Sequence, residues 1–177
     1  YLGFTAPYRM DLVVGAAQQA VAEAALAAAG VRGPYVVLCP YTTRPQKHWF
    51  DERWIALALQ LQADGLTPVL LGGPADVRQA PAIAASVPGL VNLVGALKLD
   101  DTVAVIAGSA LLVGVDTGLT HMGSALNVPT VALFGSTRPY LDARTPRTTV
   151  LYEGRHCSPC RRHPTCDGRH DCMRAFE

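Results

Sequence analysis

The chain alternates short apolar runs with longer segments whose apolar residues recur at helical spacing. The apolar runs predict strands over residues 35–39, 67–71, 91–94, 111–115 and 130–134. The segments around them predict helices over residues 11–29, 51–63, 75–86, 99–107 and 118–126. A strand that is apolar throughout is typical of a sheet covered by helices on both faces. The repeated strand–helix units therefore predict an α/β fold with a doubly wound, parallel, Rossmann-like sheet.

Ligands of doubly wound folds bind in the loops that follow the carboxyl ends of the strands. In this chain those loops are residues 40–48, 72–76, 95–97, 116–121 and 135–139. In the fourth loop, an apolar strand ends at Asp116 and a helix begins at once. We expect Asp116 to be the N-cap of that helix and Gly118 to let a ligand approach the main chain. The free N–H groups of the first turn would then attract an anion.

The spacing within this helix predicts which side faces the core. Leu119, Met122 and Leu126 recur at i, i+3 and i+7, so they are predicted to form the buried face. Thr117 and His121 lie four residues apart on the other side. His121 could contact a ligand there or be an ordinary solvated histidine, and this segment alone leaves both interpretations open.

The loop after the first strand carries groups that suit phosphate oxygens. Thr42 and Thr43 supply hydroxyl donors and Lys47 supplies a compensating charge. The same residues also fit an ordinary turn with a solvated lysine. Neither a Walker A loop nor a G-x-G-x-x-G fingerprint is present, which argues against those modes of nucleotide binding. Together with the Asp116 carboxylate, which suits sugar hydroxyls better than a bare phosphate, the loops predict a site for a nucleoside diphosphate sugar.

Composition narrows the class of protein. The 177 residues are 50% hydrophobic and 16% charged, with a formal net charge of +1. This balance fits a globular α/β domain and argues against a nucleic-acid binder that uses a broad basic face. The longest apolar tract, residues 103–115, is interrupted by Ser109 and is too short for a membrane span.

These motifs resemble a known family. Thr42 and Thr43 followed by Lys47 and Trp49, then the Asp116 to His121 segment and the Leu133 to Gly135 turn, are arranged in the same order as in the C-terminal half of the ADP-heptose:lipopolysaccharide heptosyltransferases. Those enzymes are inverting glycosyltransferases of family 9 with the GT-B architecture. The resemblance covers roughly residues 35–139. The turn at 135–139 has Ser136 where the family usually has proline.

The resemblance implies roles for individual residues. It implies that Lys47 and His121 are the catalytic candidates, with Lys47 stabilising charge on the departing ADP. It also implies a set of substrate-binding residues: Thr42, Thr43, Lys47, Asp76, Asp116, Thr117, Gly118, Leu119 and His121. Asp76 stands where the family has a glutamate that holds the nucleoside, and Leu97 where it has a larger apolar residue against adenine. The donor site is expected to need no cofactor.

The resemblance also implies a domain organisation. We expect an interdomain linker and helix over residues 1–33, a nucleotide-sugar-binding domain over 34–152 and a Cys-rich tail over 153–177. In the family the acceptor site and the catalytic base lie in an N-terminal domain, so this stretch alone would bind ADP-heptose and transfer nothing. The expected acceptor is the lipopolysaccharide core, and the expected location is the cytoplasmic face of the bacterial inner membrane. No nucleic-acid partner is expected.

The tail contains four closely spaced thiols, Cys157, Cys160, Cys166 and Cys172, whereas Cys39 is predicted to be buried at a strand end. Four thiolates at this density are typical of a zinc or iron site. Disulfides or free thiols are the alternatives, because the second pair is not C-x-x-C. The tail also holds four arginines that could instead dock an acidic partner or lipid head groups, namely Arg161, Arg162, Arg169 and Arg174.

Two other functions stay open on the sequence. The chain could belong to a GT-B glycosyltransferase or an epimerase-like protein that uses another nucleotide sugar. It could also be a non-catalytic nucleotide-binding module or a Cys-knuckle interaction module. A binding measurement separates these hypotheses. A preference for ADP favours the heptosyltransferase, a preference for UDP favours another nucleotide sugar, and binding of no nucleotide favours the interaction module.

Overall fold

The computed structural model describes residues 10–139, 146–160 and 163–176. Six strands lie in one sheet: β1 (Tyr35–Cys39), β2 (Thr67–Leu70), β3 (Val91–Asn92), β4 (Leu111–Val115), β5 (Thr130–Phe134) and β6 (Thr148–Tyr152). The helices are α1 (Ala16–Ala28), α2 (Asp51–Ala63), α3 (Ala80–Ala84), α4 (Leu99–Ala107), α5 (Gly118–Ala125) and α6 (Asp171–Arg174). Two short 3-10 turns, Pro45–Lys47 and Pro74–Asp76, lie in the loops after β1 and β2.

All neighbouring strands pair in parallel, in the order β3-β2-β1-β4-β5-β6. The predicted α/β fold with a doubly wound parallel sheet is therefore confirmed. The chain runs outward from β1 to β3, returns to the centre and continues from β4 to β6 in the other direction. The order reverses between β1 and β4, so the loops after these two strands flank the crevice where such folds bind ligands.

Two apolar clusters cover the two faces of the sheet. On one face Trp54 of α2 is fully buried against β1 and β2 side chains such as Leu38 and Leu70. On the other face Val37 and Leu112 of the central strands pack with Ile106 of α4. Central strands with both faces covered have to be apolar at every position, which explains their uninterrupted hydrophobic pattern.

Helices α2 and α4 match their predicted bounds. The strand predicted over 91–94 is shorter, because β3 ends at Asn92, and two predicted helices also differ. The predicted helix over 11–29 begins only at residue 16, after Gly15. The predicted helix over 75–86 is a 3-10 turn followed by the five-residue α3, with a proline in the first turn of each. Proline has no N–H to donate and is tolerated only at a helix start, so the segment divides.

The predicted buried face of α5 is wrong. Thr120, Gly123 and Ser124 are the buried residues, whereas Leu119, Met122 and Leu126 are only partly buried where they pack against the apolar cluster. A Cβ on Gly123 would lie 2.9 Å from Leu112 Cδ1, so glycine lets the helix approach the sheet closely. The Thr120 hydroxyl donates to the Val115 carbonyl at 2.7 Å, which makes its burial tolerable.

Candidate functional site

Asp116 occupies the switch point of the sheet and is contacted by side chains from two other loops and from helix α5. Lys47, from the turn after β1, places its Nζ 2.5 Å from Asp116 Oδ2. Thr137, from the loop after β5, donates its hydroxyl to the same oxygen at 2.5 Å. His121 of α5 donates from Nε2 to Oδ1 at 3.1 Å. Lys47 and His121 therefore lie together on one edge of the sheet, on opposite sides of a single carboxylate.

This arrangement holds Asp116 ionised. Burial by itself raises the pKa of the carboxyl, but hydrogen bonds from His121, Lys47 and Thr137 and the charge of Lys47 bring it well below its usual range. The carboxylate has about four acceptor positions. Three are used by these side chains, and at most one is left for a ligand.

Helix α5 begins differently from the prediction. Its N-cap is Thr117, without a side-chain capping bond, and Asp116 directs its carboxylate to the three neighbouring side chains instead of capping the helix. The first N–H groups of any helix have no intrahelical acceptor, and at α5 the N-cap side chain supplies none either. The His121 side chain is 37% exposed. It lies on the same side as Thr117, as predicted.

A polar cavity of about 380 Å³ lies over these groups. Its walls bring together the loops after β1, β2 and β4, and the lining residues are Tyr41, Thr42, Thr43, Lys47, Ala75, Asp76, Asp116, Thr117, Gly118 and His121. The loop that carries Thr42 and Thr43 is closed by His48, whose Nε2 lies 2.8 Å from the Thr42 carbonyl oxygen. Lys47 and the amino end of α5 make this cavity suited to an anion.

A second cavity of about 380 Å³ adjoins the first and is mostly apolar. It shares Tyr41, Asp76, Thr117 and Gly118 with the polar cavity and continues along Cys39, Leu71, Gly72, Gly73, Pro74, Leu97, Leu99, Thr102, Leu119 and Met122. The cavity explains why Leu119 and Met122 are only partly buried: they form its wall. The sequence-predicted substrate residues thus line one continuous pair of cavities.

Asp76 has a defined orientation between these cavities. Its Oδ2 accepts the Gly73 N–H at 2.8 Å, within the 3-10 turn after β2. A Cβ on Gly72 would lie 2.8 Å from Tyr41 Cδ2 and 3.0 Å from Asp76 Oδ2, so only glycine fits that position. Burial is the main factor that raises the pKa of Tyr41, with smaller contributions from Asp51 and Asp76. Cys39 is buried, as predicted, and burial raises the pKa of its thiol.

The cysteines of the tail are near one another but form no ready metal site. The pKa of Cys172 is raised by burial and then by the neighbouring thiols of Cys160, Cys157 and Cys166. All four are free thiols. Within residues 10–139, 146–160 and 163–176, no group of three or more His, Cys, Asp or Glu side chains is arranged to hold a metal ion. The predicted arginine surface is only partly described, because Arg161 and Arg162 lie outside these ranges.

Comparison with known proteins places the chain in a family. The family model for glycosyltransferase family 9 (heptosyltransferase) matches residues 2–169. The chain belongs to glycosyltransferase family 9. Among curated family 9 relatives, lipopolysaccharide heptosyltransferase 1 of Pseudomonas aeruginosa is 37% identical over 138 residues, which are 76% of this chain and 38% of that protein. The chain thus spans less than half the length of this relative.

Solved structures of family 9 enzymes share the fold. ADP-heptose lps heptosyltransferase II of E. coli matches with a TM-score of 0.70 and 27% identity, over 80% of this chain and 45% of that one. E. coli heptosyltransferase WaaC with ADP matches with a TM-score of 0.63 and 30% identity, over 85% of this chain and 46% of that one. The fold is therefore that of half of a GT-B glycosyltransferase.

One member of the Asp116 cluster in this family 9 chain was missed by the sequence reasoning. Thr137 is in a loop that was expected to approach the site, but no spacing rule connects it to Asp116, which is 21 positions away. The signal that could have found it is the threonine hydroxyl at the carboxyl end of β5, the strand next to β4. In the described parts of the chain, no helix is long and apolar enough to span a membrane.

Proposed function

We propose that this chain is the donor-binding half of an inverting heptosyltransferase and that it holds ADP-heptose across the two adjoining cavities. The proposal rests on the difference in polarity between the two cavities. One is mostly apolar, the other is polar and lined by Lys47, and the two share four wall residues. A nucleoside diphosphate sugar has the same division, with a flat base at one end and a diphosphate and hydroxyls at the other. The related E. coli heptosyltransferase WaaC has been solved with ADP and with ADP-2-deoxy-2-fluoro heptose.

The base would lie in the apolar cavity. Leu97, Leu99 and Met122 offer apolar surface on which an adenine ring can pack. Asp76 lies where the two cavities meet, with Oδ2 engaged by Gly73. Its other oxygen is available to accept from a ribose hydroxyl, the role that the family resemblance gives to a glutamate.

The diphosphate would lie in the polar cavity. Thr42 and Thr43 supply hydroxyl donors, and Gly118, which lines both cavities, supplies an N–H group at the start of α5. Leu119, on the wall of the adjoining cavity, supplies the next N–H group. Lys47 faces the cavity while paired with Asp116. Because Asp116 has at most one acceptor position left, it would accept one sugar hydroxyl at most. Its main task in this proposal is to fix Lys47 and His121.

The chemistry would follow from these positions. An acceptor hydroxyl attacks the anomeric carbon, the bond from that carbon to the phosphate oxygen breaks, and ADP leaves with the bonding electrons. Negative charge grows on the leaving diphosphate in the transition state, where Lys47 and the N–H groups of α5 can stabilise it. His121 would contact the donor beside the reacting carbon. The donor site needs no cofactor for these steps.

The acceptor side lies outside this proposal for the chain itself. We place the catalytic base and the acceptor site in the part of the relatives' length that this chain does not span. Because relatives of this chain are lipopolysaccharide heptosyltransferases, we propose the lipopolysaccharide core as the acceptor. We also propose that the enzyme works at the cytoplasmic face of the inner membrane. The arginines of the tail would allow peripheral contact with anionic head groups.

Calorimetry of the chain with ADP, UDP and GDP tests the donor proposal. We expect ADP to bind best, and Lys47→Ala and His121→Ala to weaken its binding by at least about tenfold. Arg32→Ala, which removes an exposed cation at the opposite edge of the sheet, is the matched control and should leave binding unchanged. A preference for UDP would favour a different nucleotide sugar, and binding of no nucleotide would favour an interaction module.

As a second proposal, the tail binds a thiophilic metal ion such as zinc or iron. The support is that the thiols of Cys157, Cys160, Cys166 and Cys172 lie within electrostatic range of one another. Among the described residues no three such side chains are arranged to hold an ion, so binding would require the tail to rearrange. Metal analysis of protein purified under reducing conditions, with Cys160→Ser as comparison, tests this. Less than about one-tenth equivalent of both metals in the unsubstituted chain would refute it.

A further inference from the structure

The short helix α6 at the end of the tail contacts two of the loops that build the Asp116 cluster. Met173 is fully buried in the same apolar cluster as Trp49 and Leu133. Trp49 lies two residues after Lys47, and Leu133 lies four residues before Thr137. A segment outside the predicted nucleotide-binding domain is thus packed beneath the loops after β1 and β5.

The contact with the loop after β5 is made at Gly135. A Cβ at this position would lie 2.6 Å from Met173 Sδ and 2.8 Å from Cys172 Sγ, so α6 packs directly on the glycine backbone. The Ser158 hydroxyl, from the first part of the tail, donates to the Gly135 carbonyl. Gly135 is therefore held from two directions by the tail, two residues before Thr137.

The contact with the loop after β1 is made at Phe50. The Arg174 guanidinium carbon lies 4.2 Å from the centre of the Phe50 ring, a cation–π contact. Arg174 Nε also donates to the Arg169 carbonyl at 2.9 Å, which fixes the side chain over the ring. Phe50 is the N-cap residue of α2 and lies three residues after Lys47.

The loops after β1 and β5 each place one side chain against the same atom, Asp116 Oδ2. Lys47 Nζ and Thr137 Oγ1 each lie 2.5 Å from Asp116 Oδ2, although neither residue is near the other in sequence. Two donors can share one carboxylate oxygen only if both loops are placed to within a few tenths of an ångström, because hydrogen bonds weaken steeply with distance and angle. The tail contacts both loops close to these side chains, at Phe50 and at Gly135.

We infer that the tail is a clasp that positions the donor site: Ser158, Met173 and Arg174 hold the loops after β1 and β5 so that Lys47 and Thr137 converge on Asp116. These three are positioning residues, since they act through the loops and line neither cavity. The effect on ADP binding rests on the proposed function. The effect of the tail on how Lys47 and Thr137 meet at Asp116 does not.

A double-mutant cycle tests the clasp without any ligand. The free energy of unfolding in urea is measured for Arg174→Ala, Thr137→Val and the double variant. Distant, unconnected positions give additive losses. The clasp predicts that the double variant loses clearly less stability than the sum of the two single losses. Arg174→Ala already loosens the loop after β1, so Lys47 no longer converges with Thr137 on Asp116 and removing the Thr137 hydroxyl costs less. Additive losses would overturn the inference.

ADP binding provides the second test. We expect Arg174→Ala to weaken ADP binding roughly fivefold and Arg174→Lys, which keeps a cation over Phe50, to restore most of the loss. Arg155→Ala, which removes an exposed tail arginine paired with Glu153, is the matched control and should bind like the unsubstituted chain. Unchanged binding in Arg174→Ala would overturn the clasp. If the unsubstituted chain binds no ADP, the donor proposal fails, and the urea cycle still decides the clasp.

Discussion

The Asp116→Asn substitution tests the central electrostatic feature of the site. Asparagine has nearly the same size, so packing is preserved, but the charge is removed and one acceptor oxygen becomes an N–H₂ group. That group cannot accept from Thr137 or Lys47 if it takes the Oδ2 position. Lys47, whose side chain is 17% exposed, would then lie beside a neutral group.

The expected loss of stability follows from the three bonds. A hydrogen bond to a charged group contributes about 1.5–3 kcal/mol and a neutral one about 1 kcal/mol, so losing the charge weakens each bond by about 1 kcal/mol. The share of His121 is discounted, because its side chain is 37% exposed and solvent screens it. We expect the free energy of unfolding to fall by roughly 2 kcal/mol at pH 7, or about 6 °C in Tm.

The stability difference between the unsubstituted chain and Asp116→Asn should depend on pH, and the direction of the Asp116 pKa shift determines how. The pKa of Asp116 is lower in the folded protein than in the unfolded chain, where an aspartate titrates near pH 4. The stabilisation is therefore complete above about pH 4 and is lost as the pH falls toward the folded-state value. The stability gap between the unsubstituted chain and Asp116→Asn should stay constant from pH 7 to about pH 5 and narrow below pH 4.

Urea unfolding followed by circular dichroism at pH 7, 5 and 3 measures this gap. Asp64→Asn, at the exposed C-cap of α2, is the matched control and should change stability by no more than about 0.5 kcal/mol. Equal stability of Asp116→Asn and the unsubstituted chain at pH 7 would refute the reasoning. A gap that does not narrow on acidification would refute the assigned pKa direction.

Three further substitutions address the core, the helix–sheet contact and the apolar cavity. Trp54→Ala removes a fully buried indole, and urea unfolding should show a loss of about 3–5 kcal/mol; a loss below about 1 kcal/mol would contradict the packing. Gly114→Ala drives a Cβ into the Thr120 hydroxyl and should lower stability by about 1–3 kcal/mol in thermal melts, unlike Gly33→Ala, which meets open space. Leu97→Asp places a charge in the apolar cavity and should weaken ADP binding at least about tenfold by calorimetry; unchanged affinity would remove the base from this cavity.

Much of the sheet could be predicted because its central strands are buried on both faces and therefore carry an unbroken apolar pattern. Helices α2 and α4 match their predicted bounds, and in the structure each is followed closely by a glycine, Gly65 after α2 and Gly108 after α4. Strand β6 was not predicted: its side chains are alternately half-buried and exposed, and it lies at the edge of the sheet. Its sequence lacks the signal that identified the others.

The faces of α5 could not be predicted from hydrophobicity alone. Local spacing favoured burial of Leu119 and Met122, whereas the close approach of α5 to β4 and β5 selected Thr120, Gly123 and Ser124 for the interface. Small residues occupy the interface between α5 and the sheet because the helix lies so near the sheet that larger side chains do not fit. Leu119 and Met122 instead line the apolar cavity.

By itself, the sequence determined which chemical groups end each strand: hydroxyls and a lysine after β1, and a carboxylate followed by a helix start and a histidine after β4. Strand patterns and turn residues are local properties, so the chain encodes them position by position. Only the tertiary structure decided that Asp116 receives Lys47 from 69 positions away and Thr137 from 21 positions away, and that the tail packs beneath both loops. Strand order and the contacts between distant loops arise from packing of the whole sheet, which no local pattern records.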